Sequence, residues 1–460
     1  MRWFTWRVLT LVVFETLLVF AAVLAASYVR LGDWAWVVLR EENGLGKTFL
    51  VAGVTQMCLY YGNLYDFRRV TDPSELFIDT IQALGAAALI LAVVYYWFPS
   101  LVIGRGVFVI AAGFVVTVII AWRVVFDWLS RHAGPRERLL IVGTNAPAVA
   151  LSRELFERRA ELGVEIVGFV DVDESQVGAP VINPGVIGTV EDIPRIVAAR
   201  RVDRVVVSLT DARGRLPMHH LLSMKVDGVE FAHLASVYEE YTGKIAVENL
   251  RPSWFIFSPG FRQSRARSAA KRALDLFCAA LGFLLALPMM GLVALAVRLS
   301  SAGPVLYHQQ RVGLQGRIFT VHKFRSMRVD AEAETGPVWA SKQGDPRVTP
   351  IGRLLRRTRL DELPQLWNVL KGDMSFVGPR PERPEFVASL TRTIPYYGQR
   401  HAVRPGITGW AQVRYTYGAS VEDAIEKLQY DLYYIKNVSV ALDLFIIVST
   451  IKTVILRSGA

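Results

Sequence analysis

At 460 residues the chain is too long for one ordinary domain, and with 52% hydrophobic residues and a mean hydropathy of +0.31 it is too apolar for a purely soluble protein. A formal charge of +11 suits a phosphate-rich partner, whether nucleic acid, anionic lipid or nucleotide. Cys58 and Cys278 both lie in apolar runs, so they read as small buried hydrophobes and not as a disulfide framework or a metal site.

Four uninterrupted apolar stretches, 8–28, 45–61, 76–98 and 101–122, each approach the roughly 20 residues a helix needs to cross hydrocarbon. They predict a four-helix transmembrane bundle over 1–130. Arg2 and Arg7 precede the first stretch, but it is long for a cleavable signal and three more follow, so it reads as an uncleaved anchor. If the helices alternate, Arg2, Arg7, Arg68, Arg69, Arg131, Arg136 and Arg138 share one side. Arg30, Arg40, Lys47 and Arg105 take the other, the first three diluted by Asp33, Glu41 and Glu42. The bias is modest and turns both ends of the bundle to the cytoplasm.

Short β-branched runs then alternate with amphipathic stretches, at 139–143, 165–170 and 203–208, which predicts a Rossmann-like α/β domain over 138–260. Its first turn, Gly143-Thr144-Asn145-Ala146-Pro147-Ala148, keeps only the first glycine of a dinucleotide fingerprint. The missing glycines are those that let a pyrophosphate approach the backbone, so a structural or regulatory role is expected. Asp171, closing the second strand, reads as a ribose contact or as ordinary turn chemistry.

After a linker carrying Arg262, Arg265, Arg267, Lys271 and Arg272, the segment 273–299 is apolar and long enough to span. Pro288 near its middle removes a backbone hydrogen bond and clashes with the preceding turn, so a bend is expected there.

From residue 304 the chain is dense in specific blocks. Lys323-Phe324-Arg325-Ser326-Met327 is followed by an unbroken run from Arg359-Leu360-Asp361-Glu362-Leu363-Pro364-Gln365 through Leu366-Trp367-Asn368-Val369-Leu370-Lys371-Gly372-Asp373-Met374-Ser375, and then by Val377-Gly378-Pro379-Arg380-Pro381-Glu382. In order and spacing these resemble the bacterial sugar transferase family, the monotopic phosphoglycosyl transferases that make polyprenyl-diphosphate sugars. The likeness covers about 268–460, and four N-terminal spans plus an α/β domain resemble the long members that start exopolysaccharide repeat units. The blocks at 336–340 and 405–413 further resemble an exosortase-associated subgroup.

The resemblance implies a UDP-sugar donor, a polyprenyl phosphate acceptor such as undecaprenyl phosphate, Mg2+, contact with membrane lipids and no nucleic acid. It also implies a multi-pass protein of the bacterial inner membrane with its catalytic domain on the cytoplasmic face. Sugar nucleotides are cytoplasmic, so the segment 268–300 is expected to be a re-entrant helix, dipping in and returning at Pro288, with Arg272 and Arg298 at the headgroup layer. A small α/β catalytic domain then fills 301–460. Its last apolar segment, 438–456, is broken by Asp443, Ser449 and Lys452 and reads as an interfacial helix.

Asp361 precedes an apolar stripe of Leu363, Leu366, Trp367 and Leu370, where a helix N-cap belongs, and free N–H groups at such an end suit a phosphate. By resemblance Asp361 is the nucleophile, forming an acyl phosphate that polyprenyl phosphate then attacks, and Asp361 and Glu362 hold the metal. Lys323, Arg325, Arg359, Arg380 and Glu382 are expected to bind substrate. Arg380 is a rigid fork between two prolines, whereas Arg356 and Arg357 read as membrane contacts. Asp373, His401 and Arg404 stay open. Two rivals remain: a membrane-tethered nucleotide-sugar dehydratase or epimerase, which needs an intact glycine fingerprint and usually a Tyr-x-x-x-Lys pair, and a non-catalytic scaffold or chain-length regulator. Neither the hexose nor the oligomeric state, a homodimer included, is encoded in these motifs.

Overall fold

The computed structural model describes residues 6–41, 43–62, 64–65, 73–103, 106–132, 137–157, 159–182, 184–208, 218–247, 258, 260–261, 264–331, 345, 347–415, 418 and 420–455. Arg2, Glu42, Arg68, Arg69, Arg105, Arg136, Arg262 and the block at 336–340 lie outside the described residues. The chain divides into two compact units, Met1–Tyr241 and Thr242–Ala460.

In the first unit, helices Trp6–Leu31, Gly44–Tyr61, Pro73–Trp97 and Val107–His132 pack through small and β-branched side chains. Val19, Ala22, Val23 and Ala26 meet Val51, Ala52, Ala83, Ala87, Ala111 and Val115, while Leu17, Leu89, Val109 and Val124 point outward. Without a hydrophobic drive between helices in lipid, close backbone approach over small residues is what holds such elements together. Glu15 and Arg123 are both buried and pair at 2.7 Å between the first and last of these helices.

Four helices among the described residues are long and apolar enough to cross a membrane: Leu9–Leu31, Phe77–Trp97, Val107–Phe126 and Arg265–Ser300. The expected span at 45–61 is helical but is not one of them. Its first turn buries Lys47, whose Nζ donates to the carbonyl of Val102, and Thr48, Thr55 and Gln56 dilute the rest. The expected start at 101 is also displaced. Pro99–Leu101 forms a 3₁₀ turn, and the helix begins at Val107.

The same unit contains a five-stranded parallel sheet in the order β3-β2-β1-β4-β5, from Glu137–Val142 (β1), Val164–Asp171 (β2), Val186–Thr189 (β3), Arg204–Val207 (β4) and Glu230–His233 (β5). Apolar clusters cover both faces, as an all-parallel sheet requires. Asp171 takes turn chemistry: its Oδ2 accepts from Thr144 N at 3.0 Å and from Thr144 Oγ1 at 2.6 Å.

The second unit begins at Thr242 because its first residues are tied to its far end. Ile245 N donates to the Gln429 carbonyl at 3.1 Å and Trp410 Nε1 to the Gly243 carbonyl at 2.7 Å. An antiparallel hairpin, Leu306–Val312 (β6) with Ile318–Phe324 (β7), and a short parallel pair, Ser375–Val377 (β8) with Gly406–Thr408 (β9), form its sheets.

Helix Arg265–Ser300 runs through Pro288 for 36 residues, a contour of about 54 Å. Both its halves pack on this unit. Ala279 and Phe283 join Val321, Leu366 and Val369, whereas Met290, Val293 and Val297 join Phe324 and Leu355. Between them Leu284, Leu285, Leu287 and Met289 are 46–70% exposed. Contact is therefore made toward both ends and relaxed about the proline. Arg272 does not reach outward: its guanidinium donates to the carbonyls of Val369 and Leu370, while Arg298 donates to Gly303.

In helix Val440–Ile455 one polar position differs from expectation. Asp443 is fully buried, accepting from Lys271 Nζ and Tyr434 OH at 2.8 Å each, so the residue that seemed to break the apolar run faces the interior. Val440, Leu444, Val448 and Ile451 are left as an exposed apolar stripe at helical spacing.

Candidate active site

The acidic pair sits at a junction between two helices. Helix Pro350–Thr358 ends at Arg359, which adopts a left-handed conformation (φ 60°), and Leu360–Glu362 then tightens into a 3₁₀ turn. The regular helix, Gln365–Lys371, starts only after Pro364, whose fixed φ suits a helix start. Asp361 is therefore not the N-cap that the apolar stripe suggested; it lies inside the turn. Trp367 departs from that stripe too, being 53% exposed while Leu366 is buried.

Both carboxylates are buried, and their surroundings push them apart. Glu362 Oε1 accepts from Lys323 Nζ at 2.9 Å and from Arg380 Nη2 at 2.5 Å, with Arg359 Nη1 at 3.8 Å. Despite its burial, those cations hold Glu362 well below the usual carboxylate range. Asp361 is pushed up to about 6, first by burial and then by the Glu362 charge, against the pull of Lys323, Arg359 and Arg380. Its Oδ1 is buried with no hydrogen-bond partner. One carboxylate is thus locked as an anion and the other is poised to gain or lose charge near neutrality.

The remaining expected ligands divide. Lys323, from β7, and Arg380 converge on Glu362, and Arg380 Nη1 also donates to Gln412 Oε1 at 3.2 Å. Arg325 does not join them. Only 5% exposed, it donates to the carbonyls of Ser301 and Ala302 and to Ser301 Oγ, closing the end of helix Arg265–Ser300, so the structure sets it as a cap on that helix apart from Lys323 and Arg380. Glu382 lies 3.5 Å from Arg311 Nη1, and Asp373 pairs with Lys371 at 3.0 Å. Arg404 Nε donates to the Gly372 carbonyl, and burial lowers His401 to about 4.

A supporting group was not singled out from sequence. Arg400 Nη2 donates to the main-chain oxygen of Arg380 and to Asp431 Oδ2, both at 2.9 Å, and its Nη1 to Tyr397 OH at 2.6 Å. Arg400 and Asp431 are each under 10% exposed, at 6% and 2%. They fix the backbone that aims Arg380. Gln412 was legible only as part of the block 405–413.

Among the described residues no group of three or more His, Cys, Asp or Glu side chains is arranged to hold a metal. The unpartnered Asp361 oxygen beside a second carboxylate still fits Mg2+, a hard cation that takes one or two carboxylates and draws its other ligands from phosphate and water.

A family model described as bacterial sugar transferase matches residues 266–457, and one described as CoA-binding domain matches 62–218. The described residues do not fit a pyrophosphate in the second region. The Thr144 N–H is taken by Asp171, and Asn145 Oδ1 accepts from Ser208 Oγ at 2.7 Å across the point where the strand order reverses. A Rex-family repressor structure is similar at 12% identity and a TM-score of 0.20 over 29% of this chain and 66% of that one.

Among curated relatives, the UDP-N-acetylgalactosamine-undecaprenyl-phosphate N-acetylgalactosaminephosphotransferase of Aeromonas hydrophila is 42% identical over 50% of this chain and 53% of its own. The undecaprenyl-phosphate glucose phosphotransferase of Komagataeibacter xylinus is 40% identical over 59% and 52%. This chain thus spans about half the length of those two relatives, at 53% and 52%. The UDP-glucose:undecaprenyl-phosphate glucose-1-phosphate transferase of Escherichia coli (strain K12) is 35% identical over 72% of this chain and 70% of its own. With that coverage, and with the acidic pair, Lys323 and Arg380 brought together in the matched region, the chain belongs to the bacterial sugar transferase family.

Proposed function

We propose that this protein is a phosphoglycosyl transferase that moves a hexose-1-phosphate from a UDP-sugar to undecaprenyl phosphate, giving polyprenyl-diphosphate sugar and UMP, as the first membrane step of exopolysaccharide assembly. The carrying observation is Asp361, a buried carboxylate with an unpartnered oxygen, set beside a permanently charged Glu362 and three cations. The relatives' names support both the lipid acceptor and the UDP-sugar donor, and they differ in the sugar.

In the proposed reaction an Asp361 oxygen attacks the β-phosphorus of the donor. The bond from that phosphorus to the bridging oxygen breaks, and UMP leaves with the electron pair. The resulting acyl phosphate is attacked at the same phosphorus by the acceptor's phosphate oxygen, and the Asp361 carboxylate departs. Both nucleophiles are anionic, so neither step needs a proton. Lys323 and Arg380, already beside Asp361, offset the phosphate charge that arrives, and Arg400 keeps Arg380 in position. Bound Mg2+, held by Asp361 with Glu362 adjacent, would supply further charge neutralisation to the diphosphate.

The fold supports placing this chemistry at the cytoplasmic face of the bacterial inner membrane, with helix Arg265–Ser300 as a re-entrant element bent at Pro288. Its limbs rest on one unit while the apolar residues around the proline stand exposed. The stripe Val440, Leu444, Val448 and Ile451 suits the same lipid surface.

The test is UMP release from a panel of UDP-sugars with undecaprenyl phosphate, together with retention of donor β-phosphate label on the protein. Wild type is expected to release UMP and retain hydroxylamine-labile label, and Asp361→Asn to do neither. Normal turnover by Asp361→Asn would overturn the proposal.

A further inference from the structure

We propose that His308 and His322 form a surface site for a borderline transition-metal ion such as Zn2+, Ni2+ or Cu2+, separate from the acidic pair. The two residues are direct cross-strand partners in the β6–β7 hairpin. Their Nδ1 atoms stand 2.8 Å apart, with ring centroids at 4.9 Å and ring planes at 87°. Two imidazole nitrogens that close cannot both carry a proton; one donates and the other accepts.

A metal bound at about 2.0–2.1 Å to each of two adjacent ligand nitrogens sets them about 3 Å apart. The pair already has that separation, so the ion would replace the shared proton once the rings turn to aim both lone pairs at a point off the line between the nitrogens, with no change in the backbone. The backbone beneath is fixed. Seven cross-strand pairs run from Leu306 with Phe324 to Val312 with Ile318. From helix Gln365–Lys371, Asn368 clamps β7 at two points, its Oδ1 accepting from His322 N at 3.2 Å and its Nδ2 donating to the Thr320 carbonyl at 2.7 Å.

The surroundings favour neutral ligands. Burial, His308 and Lys371 lower the proton affinity of His322, with Asp373 opposing them. His308 is exposed and His322 half-buried, which leaves room for water at the other coordination positions. Among the described residues no third His, Cys, Asp or Glu completes a set, so the site is a two-nitrogen clasp. Nitrogen donors select against Mg2+, so the ion expected at the acidic pair does not compete here.

The experiment uses tag-free full-length protein in nanodiscs with Mg2+ in excess. Zn2+ titration by calorimetry is expected to give one site per chain, and Cu2+ is expected to give an electron paramagnetic resonance spectrum split by two nitrogens. His308→Gln and His322→Gln should each weaken Zn2+ binding by about tenfold or more. Asp361→Asn should bind Zn2+ as wild type does, which separates this site from the proposed reaction. Hydrogen exchange of β6 and β7 without metal, unchanged in both His variants, would establish that the hairpin is intact. No stoichiometric site in wild type, a spectrum split by a single nitrogen, or undiminished binding in the double variant would each overturn the proposal.

Discussion

Asp361→Asn is expected to raise the stability of the protein while removing its chemistry. The Asp361 carboxyl is raised from 3.8 to about 6 in the folded chain. A rise of about two units means that ionised Asp361 disfavours the folded state by about 3 kcal/mol at pH 8. Because the folded value is the higher one, stability is fully present below the unfolded value and is lost as pH rises through about 6; at pH 5 about half of it is already gone. Asparagine has the same shape and no charge, and the unpartnered Oδ1 means that no hydrogen bond is forfeited at that oxygen. Burying the new amide offsets part of the gain, leaving about 2 kcal/mol at pH 8, or a rise in Tm of about 4–8 °C for a unit of this size. Scanning fluorimetry of both proteins at pH 8 and pH 5 measures it, and the gain should shrink to roughly 0.5 kcal/mol, about a quarter of its pH 8 value, because the amide cost does not change with pH. An equal shift at both pH values, or destabilisation at pH 8, would refute the reasoning.

The same group predicts the pH dependence of turnover: kcat/KM for UMP release should fall on the acid side with an apparent pKa near 6, and a limb near 4 would remove the raised Asp361 from the account. Arg325→Ala should lower stability by about 2–4 kcal/mol through three lost charged hydrogen bonds, read as a drop in Tm with KM for the UDP-sugar unchanged. Lys271→Met leaves Asp443 buried without its cation and should destabilise by about 3–5 kcal/mol, whereas Lys271→Met with Asp443→Leu should recover most of that in a thermal-shift cycle. Single cysteines at Ser268 and Ser300, in a background without Cys58 and Cys278, should label from the same side of sealed vesicles; labelling from opposite sides would make helix Arg265–Ser300 a full crossing.

Sequence carried the α/β sheet and the acidic pair well, for different reasons. β1, β2 and β4 are short runs of β-branched residues whose burial on both faces leaves no room for polar alternation, so composition alone marks them. Asp361 and Glu362 stood out because they adjoin basic and proline-rich blocks at fixed spacing. The partners of Arg325 and Asp443 were not legible for one shared reason: a charged side chain in a sequence does not disclose whether it meets solvent, a ligand or a distant carbonyl. Arg325 meets Ser301 and Ala302, and Asp443 meets Lys271, across separations that no local pattern reports. The N-cap reading of Asp361 failed on backbone geometry. A left-handed arginine is uncommon, and nothing in Arg359 announces it. Arg400 and Asp431 were invisible because they stand 31 positions apart and nothing local announces that the two charges pair in the interior.

Arg272 links the longest helix of the second unit to the carbonyls that finish helix Gln365–Lys371, just beyond the acidic pair. Under the topology proposed above, foothold and reaction centre are therefore one inheritable piece. On that topology the distance between the acidic pair and the exposed apolar turn about Pro288 depends only on side chains inside Thr242–Ala460, whatever stretch of chain comes earlier.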